Sequence, residues 1–123
     1  MDSTVWGPHL WFYLHTISFN YPEKPSQEEK NNYYNFFYSL TKTLPCIFCR
    51  NHYTEFFNQN PIKSHLDTTK SLILWVLKCH NNVNKLHNKP EWTFEHLAAY
   101  NKKKYIEEPI EQYTNNNNNN NKE

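Results

Sequence analysis

Residues 26 to 45 read SQEEKNNYYNFFYSLTKTLP, and this stretch decides the fold. Ser26 followed three residues later by Glu29 is a capping-box signature, in which each side chain takes a backbone N–H that a helix start leaves unpaired. Tyr33, Phe36, Phe37, Leu40 and Leu44 then recur at steps of three and four, the period that lines one face of an α-helix. Pro45 lacks the N–H that a further turn needs and ends the helix. The same reading extends to both sides.

Toward the N-terminus, Trp6, Leu10, Leu14 and Ile17 share a helical face, and Trp11, His15 and Ser18 form an adjacent stripe. Pro8 fits a first turn, which predicts a helix from near Thr4, broken by the segment Asn20 to Pro25. Toward the C-terminus, a third helix is expected from Cys46 through Tyr53, Phe56 and Phe57 to Asn60-Pro61. Leu66, Ile73, Val76, Leu77, His80, Val83 and Asn84 predict a fourth from about Ser64 to about His87. A shorter fifth runs from a Thr93 cap to about Tyr105. The asparagine run Asn115 to Asn121 has nothing to bury and is expected to be disordered. The expected architecture is all-α: a four-helix bundle plus a short fifth helix, in one domain over residues 1–108, with a disordered tail over 109–123.

Composition narrows the function. One glycine in 123 residues, against 17% aromatics, leaves little room for glycine-rich phosphate loops or tight hairpins. Thirteen basic and twelve acidic residues nearly cancel, so the net charge shows no nucleic-acid or membrane field. No long apolar run or signal-peptide pattern is present, so a soluble protein outside the usual secretory route is expected. Three cysteines, two of them in a CxxC, do not resemble a secreted disulfide scaffold; in a reducing compartment such a pair is more often catalytic or metal-binding.

The CxxC lies in residues 45 to 52, PCIFCRNH. A cysteine at a helix start meets unpaired N–H groups and the positive end of the helix dipole, which favour the Cys46 thiolate; Arg50 and His52, about a turn away, are expected to add positive potential. Cys49, a turn further in, is expected to be the buried partner. Two other readings compete. Cys46 and Cys49 pack as small apolar residues, or they bind zinc with His52 or with the Cys79-His80 pair, whose adjacent residues point about 100° apart on a helix.

Polar residues on otherwise apolar stripes point to a pocket. His80 and Asn84 lie four apart on the fourth helix, with Asn81 and His87 adjoining, and Trp11 and His15 lie four apart on the first. Such groups suit a flat ligand rich in heteroatoms, since buried amides and imidazoles without partners are costly. Lys85 and Lys89 stand where they meet phosphates.

Trp6-Gly7-Pro8 with Trp11 and Leu14-His15, then Pro45-Cys46-x-x-Cys49-Arg50-x-His52, then Trp75, His80-Asn81-x-Val83-Asn84 and Lys89-Pro90 together resemble the Erv/ALR family of FAD-dependent sulfhydryl oxidases. The resemblance spans about Val5 to Tyr105 and looks most like the compact forms of large cytoplasmic DNA viruses. It implies FAD bound in the bundle and electrons passing from a protein dithiol or dithiol carrier through Cys46-Cys49 to FAD and molecular oxygen, giving a disulfide and hydrogen peroxide. Cys46 is then the thiol that exchanges with substrate and Cys49 the one beside the flavin. Gly7, Trp11, His15, His80, Asn81, Val83, Asn84, Lys85 and Lys89 contact FAD, with Trp92 or Tyr100 on the adenine side and no metal. It also implies a homodimer, to which the aromatic faces at Trp6, Tyr13, Phe36 and Phe37 point, and a cytoplasmic location at the viral assembly site or in the virion. Two departures stand out: Pro8 replaces a frequent arginine, and these residues hold no second CxxC to shuttle electrons, so substrate or a separate carrier reaches Cys46 directly.

Overall fold

The computed structural model describes residues 1–107 of the chain, and among them every regular element is helical. They form two compact units, Met1–Glu91 and a second that begins at Trp92. The expected tail lies outside the described residues. The first unit holds α1 (Ser3–Phe19), α2 (Gln27–Thr43), α3 (Ile47–Gln59), a 3₁₀ turn (Ile62–His65) and α4 (Thr69–Leu86). In the second, α5 (Phe94–Lys102) runs into a π-helical turn (Lys103–Glu107).

Local chemistry sets the boundaries. Asp2 caps α1 by accepting the Thr4 N–H at 2.9 Å. Ser26 and Glu29 close the expected box on α2, at 3.1 and 2.9 Å. Thr93 caps α5 through the His96 N–H at 3.1 Å. Two expectations are corrected. Pro8 sits inside α1, in its second turn, because the helix already starts at Ser3. The preceding Gly7 has no Cβ to clash with the proline ring, which keeps that residue helical. The fourth helix starts at Thr69 and not near Ser64: Ile62–His65 forms the separate 3₁₀ turn, and Thr68 with Ser71 makes a second reciprocal cap.

Within the first unit, α1 packs on α4 and α2 on α3. The core centres on Trp75, 1% exposed, which Phe37, Phe56 and Phe57 meet edge-on with centroids 5.3, 5.4 and 6.2 Å away. Its indole N–H donates to the Asn60 carbonyl at 2.9 Å and so holds the end of α3. The Tyr53 hydroxyl donates to the Phe37 carbonyl at 2.7 Å, tying α3 to α2. Tyr21, in the α1–α2 connection, donates its hydroxyl to the Leu66 carbonyl, while its own carbonyl accepts from the Thr69 hydroxyl. Phe37 is therefore spent on the core, and Trp6 and Phe36 are half-buried. The apolar surplus on α1 and α2 lies at Val5, Phe12, Tyr13 and Tyr38.

Candidate active site

The redox pair sits where α2 hands over to α3. Leu44 closes α2, Pro45 cannot extend it, and Cys46 becomes the N-cap of α3, a position usually held by an oxygen side chain. Its sulfur accepts the Cys49 N–H at 3.4 Å. That backbone N–H, with Cys49's side chain and the Phe48 N–H, holds the Cys46 thiol below its ordinary range. Cys49 moves the other way: loss of water around it, then the hydrogen bond and charge of Cys46, push its thiol up. Of the two thiols, Cys46 is therefore the one that gives up its proton first. Both cysteines are free and half-buried, and Cys49 is the one packed against the core, so the expected buried partner is only partly covered.

Arg50 and His52 do not act as expected. Arg50 turns away and donates to the Leu44 carbonyl at 3.1 Å, satisfying the end of α2. The His52 ring lies parallel to Phe48, 14° between planes and 6.5 Å between centroids. Backbone N–H groups, and not these two side chains, are the main cause of the lowered Cys46 thiol.

The second centre joins α1 to α4. Trp11 and His80 stack at 4.1 Å with 6° between planes, and His15 Nε2 lies 2.8 Å from His80 Nδ1. One of the two nitrogens supplies the proton of that bond, and both rings are otherwise neutral. Burial pulls His15 down to about 3, helped by His80, and pulls His80 down to about 4, helped by the charge of Lys89. His15 Nδ1 is buried with no hydrogen-bond partner. So is the indole nitrogen of Trp6, a residue expected on the dimer face rather than in a pocket.

The end of α4 positions Lys89. Asn88 adopts the left-handed conformation, φ 57°, and the Lys89 N–H returns to the Asn84 carbonyl at 2.7 Å. Buried Asn84 donates to the Asn81 Oδ1 at 3.4 Å. Asn81 and Lys85 line a cleft of about 480 Å³ with Leu77, Lys78, Asn82 and Glu91. The last three were not foreseen, although 77, 81, 85 and 78, 82 are plain four-residue steps. The predicted residues of α4 thus divide between two faces: His80 joins Trp11 and His15, while Asn81 and Lys85 open onto the cleft. Val83 is half-buried on the same helix. Gly7 is buried on α1, yet a methyl group placed there would meet nothing within 4 Å. In the second unit, Trp92 stacks on His96 at 4.0 Å and meets Tyr100 edge-on at 5.4 Å.

Among the described residues, no group of three or more His, Cys, Asp and Glu side chains is placed to hold a metal ion. The zinc alternative built on Cys46, Cys49 and histidines therefore loses its ligand set; Cys79 is buried in the core, its thiol pushed far up by burial. No described helix is long and apolar enough to cross a membrane.

Comparison with known proteins identifies relatives of this chain. The profile of the Erv1 / Alr family matches residues 8–105. A probable FAD-linked sulfhydryl oxidase of Acanthamoeba polyphaga mimivirus is 34% identical over 95 residues, 76% of this chain and 66% of that protein. The FAD-linked sulfhydryl oxidase of African swine fever virus is 32% identical over 84 residues, 68% of this chain and 69% of its own. An Arabidopsis thaliana protein named FAD-linked sulfhydryl oxidase ERV1 is 29% identical over 76% of this chain but only 48% of its own. The chain thus spans about two thirds of the viral relatives and about half of the plant one. Among solved structures, the yeast Erv1 core superposes with a TM-score of 0.76 at 22% identity, covering 88% of this chain and 86% of that one, and shows the same fold.

Proposed function

Because this chain belongs to the Erv1 / Alr family, we propose that it is an FAD-linked sulfhydryl oxidase that makes disulfides in protein dithiols. The observation that carries the reading is the asymmetry of the CxxC: within one turn, the Cys46 sulfur caps the helix and accepts the Cys49 N–H, which lowers its thiol, while loss of water raises that of Cys49. A substrate thiolate attacks Cys46 of the oxidised pair, Cys49 leaves as the thiolate, and the second substrate thiol displaces Cys46. The substrate has then lost two electrons and the pair has gained them. FAD, when bound, takes this electron pair onward to molecular oxygen, which becomes hydrogen peroxide.

The residues present fit that cofactor. A neutral His15–His80 pair, one of its ring nitrogens buried and unpartnered, together with the flat Trp11 and the buried Asn84 amide, is a set of groups that a polar heteroaromatic ring would satisfy. Trp11, His15, His80 and Asn84 would hold it, with Gly7 leaving space, Asn81, Val83 and Lys85 along α4, and Lys89 at its end. The same reading includes a homodimer through α1 and α2, supported by the exposed Val5, Phe12, Tyr13 and Tyr38. It also includes work in a reducing compartment such as the cytoplasm, which the cysteine usage supports.

The purified protein should be yellow with bound FAD and should consume oxygen when given dithiothreitol. Cys49→Ser should keep the colour and lose oxygen uptake by at least about a hundredfold. A colourless protein, or a Cys49→Ser variant that still consumes oxygen, refutes the assignment.

A further inference from the structure

The chemistry at Cys46 leaves open what brings a thiol to it. The chain around that sulfur is apolar and open to water: Pro45 precedes it, and Ile47 and Phe48, the first two residues of α3, are 64% and 60% exposed. The His52 ring lies nearly parallel to that of Phe48, 6.5 Å away between centroids, and leaves it exposed. Bulky apolar side chains are normally withdrawn from water, and here two stand side by side between the reacting cysteines.

We propose that Pro45, Ile47 and Phe48 form the recognition surface for a substrate polypeptide that carries a bulky apolar residue beside its reactive cysteine. This rests on the oxidase reading. The occupant follows from the reaction itself. Exchange joins Cys46 covalently to a substrate cysteine, so the residues flanking that cysteine must come down on the residues flanking Cys46. The electrostatics admit the same visitor. No acidic side chain stands in the first turn of α3, and the sequence has none between Lys30 and Thr54. An incoming thiolate therefore meets the positive end of a helix with no carboxylate from this stretch to repel it. In that exchange the substrate sulfur bonds to Cys46 as the Cys46–Cys49 bond breaks, and resolution by the second substrate thiol returns the pair reduced, with oxygen, through the flavin, as the final oxidant.

The test isolates docking from oxidation. In full-length protein carrying Cys49→Ser, the Cys46 thiolate attacks a peptide cysteine activated as its mixed disulfide with thionitrobenzoate, which leaves as a coloured thiolate. Two peptides are compared, identical except that the cysteine is flanked by Leu and Phe in one and by Ser on both sides in the other. The apolar peptide should react about tenfold faster. Adding Ile47→Ser and Phe48→Ser should bring the ratio close to one in a variant whose circular dichroism and thermal midpoint match the parent's, since an unfolded chain would react with both peptides alike. A ratio near one in the parent, or one that survives both substitutions, overturns the proposal. So does a dimer that sediments as a monomer after the substitutions, since the patch is then an interface between two copies. Neither readout needs bound FAD; absence of oxygen uptake by the wild type is the separate result that removes the oxidase reading.

Discussion

His15 and His80 show what a single hydrogen bond does when both partners titrate. Unfolded, each imidazole takes a proton near 6.5; folded, they resist it until about 3 and about 4. Between those values the unfolded chain binds more protons, so stability rises with pH, and what the neutral pair contributes is lost as the pH falls below 6.5. For the cofactor-free protein, acidifying from neutral to about pH 5.5 should cost about 1 kcal/mol for each ring. Urea unfolding at both pH values checks this; His80→Gln should weaken the dependence, and a midpoint that does not move with pH refutes it. Each ring's helical face was legible from spacing, but their meeting was not. The two lie 65 residues apart, and periodicity tells which face a residue is on, never which face it will meet. Arg50 was misread for a related reason. Nearness in sequence to Cys46 suggested a charge effect, but the guanidinium finds a stronger partner in an unpaired helix carbonyl.

At the level of elements, the end of α4 concentrates the strain. Asn88 holds a left-handed backbone that a side chain resists and glycine does not. Asn88→Gly should stabilise the protein by about 0.5 kcal/mol and Asn88→Val should destabilise it by about 1 kcal/mol or more, as read from thermal midpoints. Equal midpoints for the two would mean that the turn carries no strain. The caps show why some boundaries could be read and others not. Ser26 with Glu29 is a distinctive pair, whereas Thr68 with Ser71 uses a serine where the recognisable pattern has Glu or Gln. Leu66 and Ile73, seven residues apart, also continue the helical period straight across the break at Asp67.

At the scale of the molecule, Trp75 lies at the centre of the aromatic core. Trp75→Ala removes a ring that three phenylalanines surround, together with the donor that holds Asn60, and should cost about 3–5 kcal/mol. Such a loss is a large part of what a domain of this size possesses, so the variant should be mostly unfolded by circular dichroism at 37 °C, at roughly the upper end of that range. The exposed aromatics make the other prediction at this scale: sedimentation at micromolar concentration should show a dimer that Tyr13→Lys weakens, and a wild-type monomer would remove the claim. The all-helical class was legible because low glycine, proline punctuation and long amphipathic periods all agree. The fate of Phe37 was not, because a face rich in aromatics reads alike whether a neighbouring helix or a second chain covers it.

The double attachment of Tyr21 has its own consequence. Through its hydroxyl and its carbonyl, one residue between the first two helices grips both sides of the start of the fourth, at Leu66 and Thr69. Neither loop can then open alone. In hydrogen exchange the amides of the two connections should be released together, as one cooperative unit with a shared opening free energy, and Tyr21→Phe should split that event into two.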